Sequence, residues 1–152
     1  MRLVLAISFL ILLSGMTVFG QTSVTVKTDK IDGIIHTNFT DWKSLVQATE
    51  FWTPTKEEVL KAEEKIEEYL RSDAARHGDL WRKLPNYKRQ YIGIIVNGNK
   101  RIFCNFFCSR AFFPNEYRSV PLVVDDGGEC FFRIEYDLVD KKCYNFNANG
   151  NA

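Results

Sequence analysis

The chain has 152 residues, which is too short for a multidomain enzyme, because only about 130 remain once a predicted export signal is set aside. Its 45% hydrophobic and 14% aromatic residues suffice for a buried core and argue against disorder. The 20 Lys and Arg residues nearly balance the 19 Asp and Glu residues, so the charge points to neither nucleic acid nor an anionic membrane as a partner.

The first 20 residues have the pattern of a secretory signal peptide. Arg2 supplies a positive start, residues 3–13 form an apolar run too short to cross a bilayer, and the small Gly20 precedes a predicted cleavage before Gln21. Cleavage would remove Arg2 and leave a neutral chain with no membrane span. We therefore expect a secreted or periplasmic protein.

Residues 21–50 form an N-terminal segment that the pattern leaves poorly defined. Its alternating Val24 and Val26 could give one short strand, and nothing stronger follows before Phe51. The domain organisation predicted from the sequence is a signal peptide over 1–20, this segment, and a folded domain over 51–149.

A helix is predicted to begin directly after Pro54. Proline is favoured in the first turn of a helix, and Thr55 with Glu58 fits a capping box. Apolar residues then recur at steps of three and four along one side, while the charged residues of the other side are interpreted as a solvated face. The apolar side comprises Val59, Ala62, Ile66, Tyr69 and Leu70.

After the helix the period changes to two. Asn97-Gly98 is a strong signal for a two-residue hairpin. Strands are predicted at residues 91–96, 100–108, 120–124, 129–138 and 142–146. The predicted fold class is α+β, with one long amphipathic helix packed on an antiparallel β-meander.

The four cysteines lie in the last third of the chain, where export makes a disulfide the expected outcome. Cys104 and Cys108 are four residues apart on one strand, about 13 Å, which is too far to bridge. Antiparallel pairing of the second and fourth predicted strands would place Cys108 beside Cys130, which predicts that disulfide unless residues 120–124 lie between them. Cys143 would be unpaired or would join Cys104, and the spacing does not suit zinc.

The strand alternation also predicts a second sheet face that mixes aromatic rings with arginine. This composition is typical of a recognition surface for a protein or an apolar ligand. Two other interpretations stay open: residues 21–50 could cover the face, or it could form a homodimer interface with arginine stacked on rings. The candidate binding face comprises Arg101, Phe103, Phe107, Phe131, Arg133, Tyr144 and Phe146.

Recognisable catalytic patterns are scarce. His36 and His77 are far apart, and the sequence has neither a Gly-rich phosphate loop nor a serine nucleophile elbow. The turn at residues 125–129 lacks the ligand spacing of a calcium site. We expect a non-enzymatic module without metal or cofactor.

Several short motifs resemble a family of small exported bacterial proteins with no assigned activity. They are Phe51-Trp52-Thr53-Pro54-Thr55, Tyr87-Lys88-Arg89-Gln90-Tyr91, Asn105-Phe106-Phe107-Cys108 and Asp126-Gly127-Gly128-Glu129-Cys130-Phe131-Phe132. The resemblance would cover about residues 50–150 and implies bacterial export.

The predicted helix and meander also resemble cystatin-like and NTF2-like arrangements. A cystatin inserts a hairpin with the motif Gln-x-Val-x-Gly into a cysteine protease. The matching residues 94–98 keep the glycine, but Ile94 stands where the glutamine would be. The resemblance in arrangement makes a cystatin-like protease inhibitor the alternative function, although the motif is incomplete. A small secreted enzyme is a further alternative.

Overall fold

The computed structural model describes residues 23–109 and 115–150. The predicted signal peptide and its cleavage site at Gly20 and Gln21 lie outside them. The strands are β1 Ser23–Lys27, β2 Asp32–His36, β3 Glu50–Trp52, β4 Tyr87–Val96, β5 Asn99–Cys108, β6 Phe131–Asp137 and β7 Lys142–Ala148. The α-helices are α1 Lys56–Ser72, α2 Ala74–His77 and α3 Leu80–Lys83, and short 3-10 helices lie at Asp41–Ser44, Leu84–Asn86, Asn115–Arg118 and Gly128–Cys130.

The seven strands form one mixed sheet in the order β1-β2-β4-β5-β6-β7, and β3 pairs with the end of β4 beyond β2. β2 runs parallel to β4, and the other pairs are antiparallel. The predicted fold class, a long helix on an antiparallel meander, is therefore wrong. The sheet dominates the fold because residues 23–52 add three strands to it, and among the described residues only α1 is longer than four residues as an α-helix.

The start of α1 forms as the sequence predicts. The Thr55 hydroxyl oxygen accepts a hydrogen bond from the Glu58 backbone N–H at 3.2 Å, and the Glu58 carboxylate accepts one from the Thr55 N–H at 2.8 Å. This capping box satisfies two backbone donors that the first helical turn would leave open. The buried side of α1 comprises Val59, Ala62, Glu63, Ile66 and Leu70.

The main core lies between α1 and the sheet. It uses the strand residues that alternation assigned to this side, including Ile102, Phe106, Phe132 and Ile134, all at most 1% exposed. The rings of Phe106 and Phe132 stack across β5 and β6 with centroids 4.4 Å apart. The predicted face under the helix is confirmed.

The Cys108–Cys130 disulfide is confirmed, with Cα atoms 4.9 Å apart. β5 and β6 are direct neighbours, because residues 120–124 form no strand and do not separate them. Cys104 and Cys143 are both free thiols. No helix in the described ranges is long and apolar enough to span a membrane.

Candidate functional site

The predicted aromatic face is largely covered. Phe103 is 8% exposed and lies edge-on to Trp42, whose 3-10 helix packs over β4 and β5. Phe107 is 1% exposed and contacts Tyr117 at 5.3 Å between ring centroids. These two phenylalanines therefore belong to the interior and not to a free binding face. Around Phe103 the structure matches the interpretation in which residues 21–50 cover the sheet.

A second stretch, residues 115–124, closes the other half of this face, and we call it the covering segment. Buried Gln90 donates to the carbonyl oxygens of Tyr117 and Val120, both at 2.7 Å, and accepts from the backbone N–H of Leu122 at 2.8 Å. Asn105 donates to the Leu122 carbonyl at 2.8 Å. The prediction of a strand at residues 120–124 is wrong. Their backbone groups bond to the side chains of Gln90 and Asn105 and not to the backbone of a neighbouring strand.

Arg101 and Tyr144 are half-buried and bind partners within the chain. Arg101 donates to Glu135 at 3.0 Å and to Asp137 at 3.1 Å, and its guanidinium stacks over the Tyr144 ring at 4.5 Å. Tyr144 donates its hydroxyl hydrogen to Asp140 at 2.9 Å. These contacts tie β5, β6 and β7 together.

Phe146 lies on the opposite side of the sheet from Tyr144, contrary to the sequence prediction. The β6–β7 register shifts between Arg133 and Glu135, and Asn145 has a positive φ of 54°. A bulge of this kind breaks the strict alternation of side chains. Phe146 therefore packs against His77 under the helices, with ring centroids 4.3 Å apart.

Phe131 and Arg133 are partly buried and line a cavity of about 20 Å³ under the covering segment. That volume is about that of one water molecule and too small for a ligand. The predicted binding face thus has two buried phenylalanines, one residue on the other side of the sheet, and four partly buried residues engaged in contacts or beside this small cavity.

A much larger cleft, of about 670 Å³, opens on the helix side of the sheet. Its walls come from three parts of the chain: α1, the turn at residues 28–31 between β1 and β2, and residues 81–85 of α3 and the following 3-10 helix. The lining residues are Thr28, Asp29, Lys30, Ile31, Leu60, Glu63, Glu64, Glu67, Trp81, Arg82, Leu84, Pro85 and Arg89.

The helical wall of the cleft is one stripe of α1. Three acidic residues lie three, four and seven positions after Leu60, so all four side chains lie along a single helix face; they are Glu63, Glu64 and Glu67. This stripe borders the buried side of α1. It therefore places one apolar and three acidic side chains at the border between the packed and the exposed sides of α1.

The floor of the cleft is a buried ion pair. Glu63 is 6% exposed and Arg89 is 1% exposed. The Glu63 Oε1 atom accepts hydrogen bonds from Arg89 Nε at 3.2 Å and from the Tyr91 hydroxyl at 2.6 Å. Burial, together with the Glu63 carboxylate, raises the pKa of Tyr91 well above its usual value, which keeps the phenol protonated as a donor.

Arg89 also fixes the far wall. Its two terminal nitrogens donate to the carbonyl oxygens of Tyr87 at 2.6 Å and Leu84 at 3.0 Å. Beyond Leu84, the Trp81 ring has the guanidinium groups of Arg71 and Arg82 at 4.6 and 4.8 Å from its centroid. These contacts hold the Trp81 ring in place at the rim of the cleft, so no ligand is needed to position it.

Sequence reasoning missed Glu63, Arg89 and Tyr91. The available signal was Glu63 itself, which occurs between Ala62 and Ile66 on the apolar side of the helix. A charged residue there needs a buried partner. Arg89 and Tyr91 are two residues apart in β4, so both side chains lie on the strand face under the helix.

The free thiols and the histidines lie outside the cleft lining. Burial raises the pKa of Cys143 to about 12 and that of Cys104 well above its usual value, so neither is a ready nucleophile. Burial lowers the pKa of His36 to about 4 and also lowers that of His77. Within the described ranges no group of three or more His, Cys, Asp or Glu side chains is arranged to hold a metal.

Comparison with protein-family models, with curated proteins and with solved structures found no match. The cystatin-like alternative rested on a helix and an antiparallel meander, and the mixed sheet removes that support. The assignment of a site therefore depends on the geometry of the chain itself.

Proposed function

We propose that the protein is an exported, non-enzymatic binding module that holds a small amphipathic ligand in the cleft. The observation that carries the proposal is the cleft volume of about 670 Å³, combined with apolar side chains that lie among polar and charged ones in its lining. Ligand sites commonly have volumes of about 300–1,000 Å³ and use polar groups to fix the orientation of a ligand that also contacts apolar side chains. The proposal keeps the predicted binding role and moves its location from the covered sheet face to the helix side.

Binding without catalysis is the role that the floor supports best. Glu63 already accepts hydrogen bonds from Arg89 and Tyr91, and the residues that line the cleft include no histidine or cysteine. A general base or nucleophile needs a group that is free to exchange a proton or attack. A locked ion pair instead suits a fixed docking surface.

Export is part of the proposal. Support comes from the signal-like pattern of residues 1–20 and from the Cys108–Cys130 disulfide, which persists best in an oxidising compartment. Membership in the family of small exported bacterial proteins is proposed from the short motifs that resemble it, such as Asn105-Phe106-Phe107-Cys108. N-terminal sequencing of the protein from a secreted or periplasmic fraction should give Gln21 as the first residue, and an intact Met1 there would contradict cleavage.

Binding in the cleft can be tested with the neutral apolar dye N-phenyl-1-naphthylamine. Leu60 lines the cleft and is 36% exposed, so Leu60→Glu should fold normally while it replaces the apolar side chain of the helical wall with a charged one. Val139 is 67% exposed and outside the cleft lining, which makes Val139→Glu a matched control. We expect saturable fluorescence enhancement with the native protein and the control, and affinity reduced about tenfold or more in Leu60→Glu. Equal binding by all three proteins, or by none, would reject the proposal.

A further inference from the structure

β1 is an edge strand with a regular backbone. It pairs with β2 in an uninterrupted antiparallel register that runs from Ser23 opposite His36 to Lys27 opposite Asp32. Within the described residues no strand lies on its other side, where the sheet ends. An edge of this kind presents unpaired backbone groups with which another strand can pair.

The hydrogen bonds of the β1–β2 turn show which backbone groups of β1 point outward. The Thr28 N–H donates to the Ile31 carbonyl oxygen at 2.9 Å. Bonded and non-bonded pairs alternate along an antiparallel ladder, so Val26 and Val24 also direct their backbone groups to β2. The other three residues of β1 direct theirs away from the sheet. They are Ser23, Thr25 and Lys27.

The features that usually keep an edge strand from pairing are weak in β1. It has no proline and no bulge, and its one charged residue, Lys27, is bound by Asp32 of β2 at 3.3 Å. The edge at β7 differs, because its register with β6 shifts and Asn145 has a positive φ of 54°. β3 has only three residues. Among the described strands, β1 therefore has the edge most open to a partner.

We infer that β1 is the contact of a two-fold symmetric dimer, in which the β1 strands of two copies pair antiparallel with Thr25 facing Thr25. In this register Ser23 of each copy faces Lys27 of the other. Each facing pair exchanges two hydrogen bonds, so every outward backbone group of the strand has a partner. A shift of the register in either direction leaves an outward residue of each copy unpaired.

The side chains of β1 suit a second copy of the same strand. On the helix side, Val26 is 3% exposed and Val24 is partly buried at the margin of the main core. The pairing places Val24 beside Val26 of the other copy, which extends the apolar row across the dimer. On the opposite side, Thr25 is exposed and meets its equivalent, a favourable cross-strand pair. Because Lys27 faces a serine, no like charges meet.

Sedimentation of the purified protein tests the dimer. The interface is small, so we expect a dissociation constant between about 1 µM and 1 mM. Thr25→Pro removes the outward N–H at the two-fold axis and keeps the bonds to β2, and an edge strand tolerates proline at such a position. It should keep the native circular dichroism spectrum and raise the dissociation constant about thirtyfold or more. The matched control Thr25→Val keeps the N–H and should dimerise like the native protein.

Single cysteines test the register without the proline variant. Residues that form a hydrogen-bonded antiparallel pair have Cα atoms about 5.5 Å apart, which a disulfide can span. Thr25→Cys should therefore form an intermolecular disulfide on mild oxidation and run as a dimer on a non-reducing gel. Lys27→Cys is the matched control, because Lys27 is also exposed but would lie about 13 Å along the strand from its equivalent.

The inference fails if the native protein stays monomeric up to about 1 mM. It also fails if a folded Thr25→Pro variant dimerises as tightly as the native protein. If that variant does not fold, the cysteines decide: crosslinking at position 27 as readily as at position 25, or none at position 25, would reject the register. None of these results depends on whether the cleft binds a ligand.

Discussion

Loss of the Glu63 charge should destabilise the protein more than loss of any neighbouring charge on α1. In Glu63→Gln the side chain keeps its size and can still accept hydrogen bonds from Arg89 and Tyr91, but the guanidinium, at 1% exposure, no longer has a counter-charge. Removal of one partner from a buried ion pair costs about 3–5 kcal/mol. Because the amide remains a good acceptor, we expect about 3 kcal/mol, a large fraction of the 5–15 kcal/mol that holds a typical domain together.

Urea denaturation monitored by circular dichroism measures this loss as a lower midpoint with an unchanged slope. Glu64→Gln is the matched control, since Glu64 is exposed and its replacement should change stability by less than about 0.5 kcal/mol. The triple variant Glu63→Leu, Arg89→Met and Tyr91→Phe removes the three interacting side chains but takes the Arg89 donor from the carbonyl oxygens of Leu84 and Tyr87, so it should recover only part of the loss. A Glu63→Gln midpoint equal to that of the control would refute the buried-pair account of the floor.

Three further predictions concern the other side of the sheet and the disulfide. His36 is neutral when folded, with a pKa of about 4 against 6.5 for the free side chain, so stability should fall as the pH drops from 6.5 to 4, by up to about 3 kcal/mol. Urea midpoints across this range should decline less steeply in His36→Phe. Replacement of Cys108 and Cys130 by serine opens a crosslink across 22 residues and should lower the unfolding free energy by about 3 kcal/mol, measured by the same titration. Gln90→Leu leaves three backbone groups of the covering segment without partners, so limited proteolysis should cut near Leu122, and an unchanged digestion pattern would contradict this role.

Features set by neighbouring residues could be predicted from the sequence. The capping box needs only Thr55 and Glu58, and the two-residue hairpin needs only Asn97 and Gly98, whose φ angles of 52° and 81° are those of a primed turn. The Cys108–Cys130 disulfide followed from alternation and antiparallel pairing. Each of these arguments uses contacts that are local or one strand away.

Features that depend on distant segments were missed. The parallel pairing of β2 with β4 joins residues separated by the whole of α1, and no local pattern specifies it. Residues 120–124 of the covering segment have the composition of a strand, but their backbone bonds to the side chains of Gln90 and Asn105. A period-two pattern does not indicate such side-chain contacts. One positive φ at Asn145 was enough to reverse the side on which Phe146 lies.

The cleft was missed for the same reason. Its walls come from residues 28–31, from α1 and from residues 81–85, which meet only once β2 has docked beside β4. Glu63 was the single local sign of it, because a carboxylate on the apolar side of a helix requires a partner that the sequence does not name.

The central claim is that the ligand site is the cleft and not the aromatic sheet face. Amide chemical-shift mapping of the isotope-labelled protein with N-phenyl-1-naphthylamine tests it most directly. The account predicts saturable shifts at Ile31, Leu60 and Trp81, with little change on the opposite side of the sheet. Shifts confined to Arg133 and Tyr144 would contradict it and would return the binding site to the sheet face.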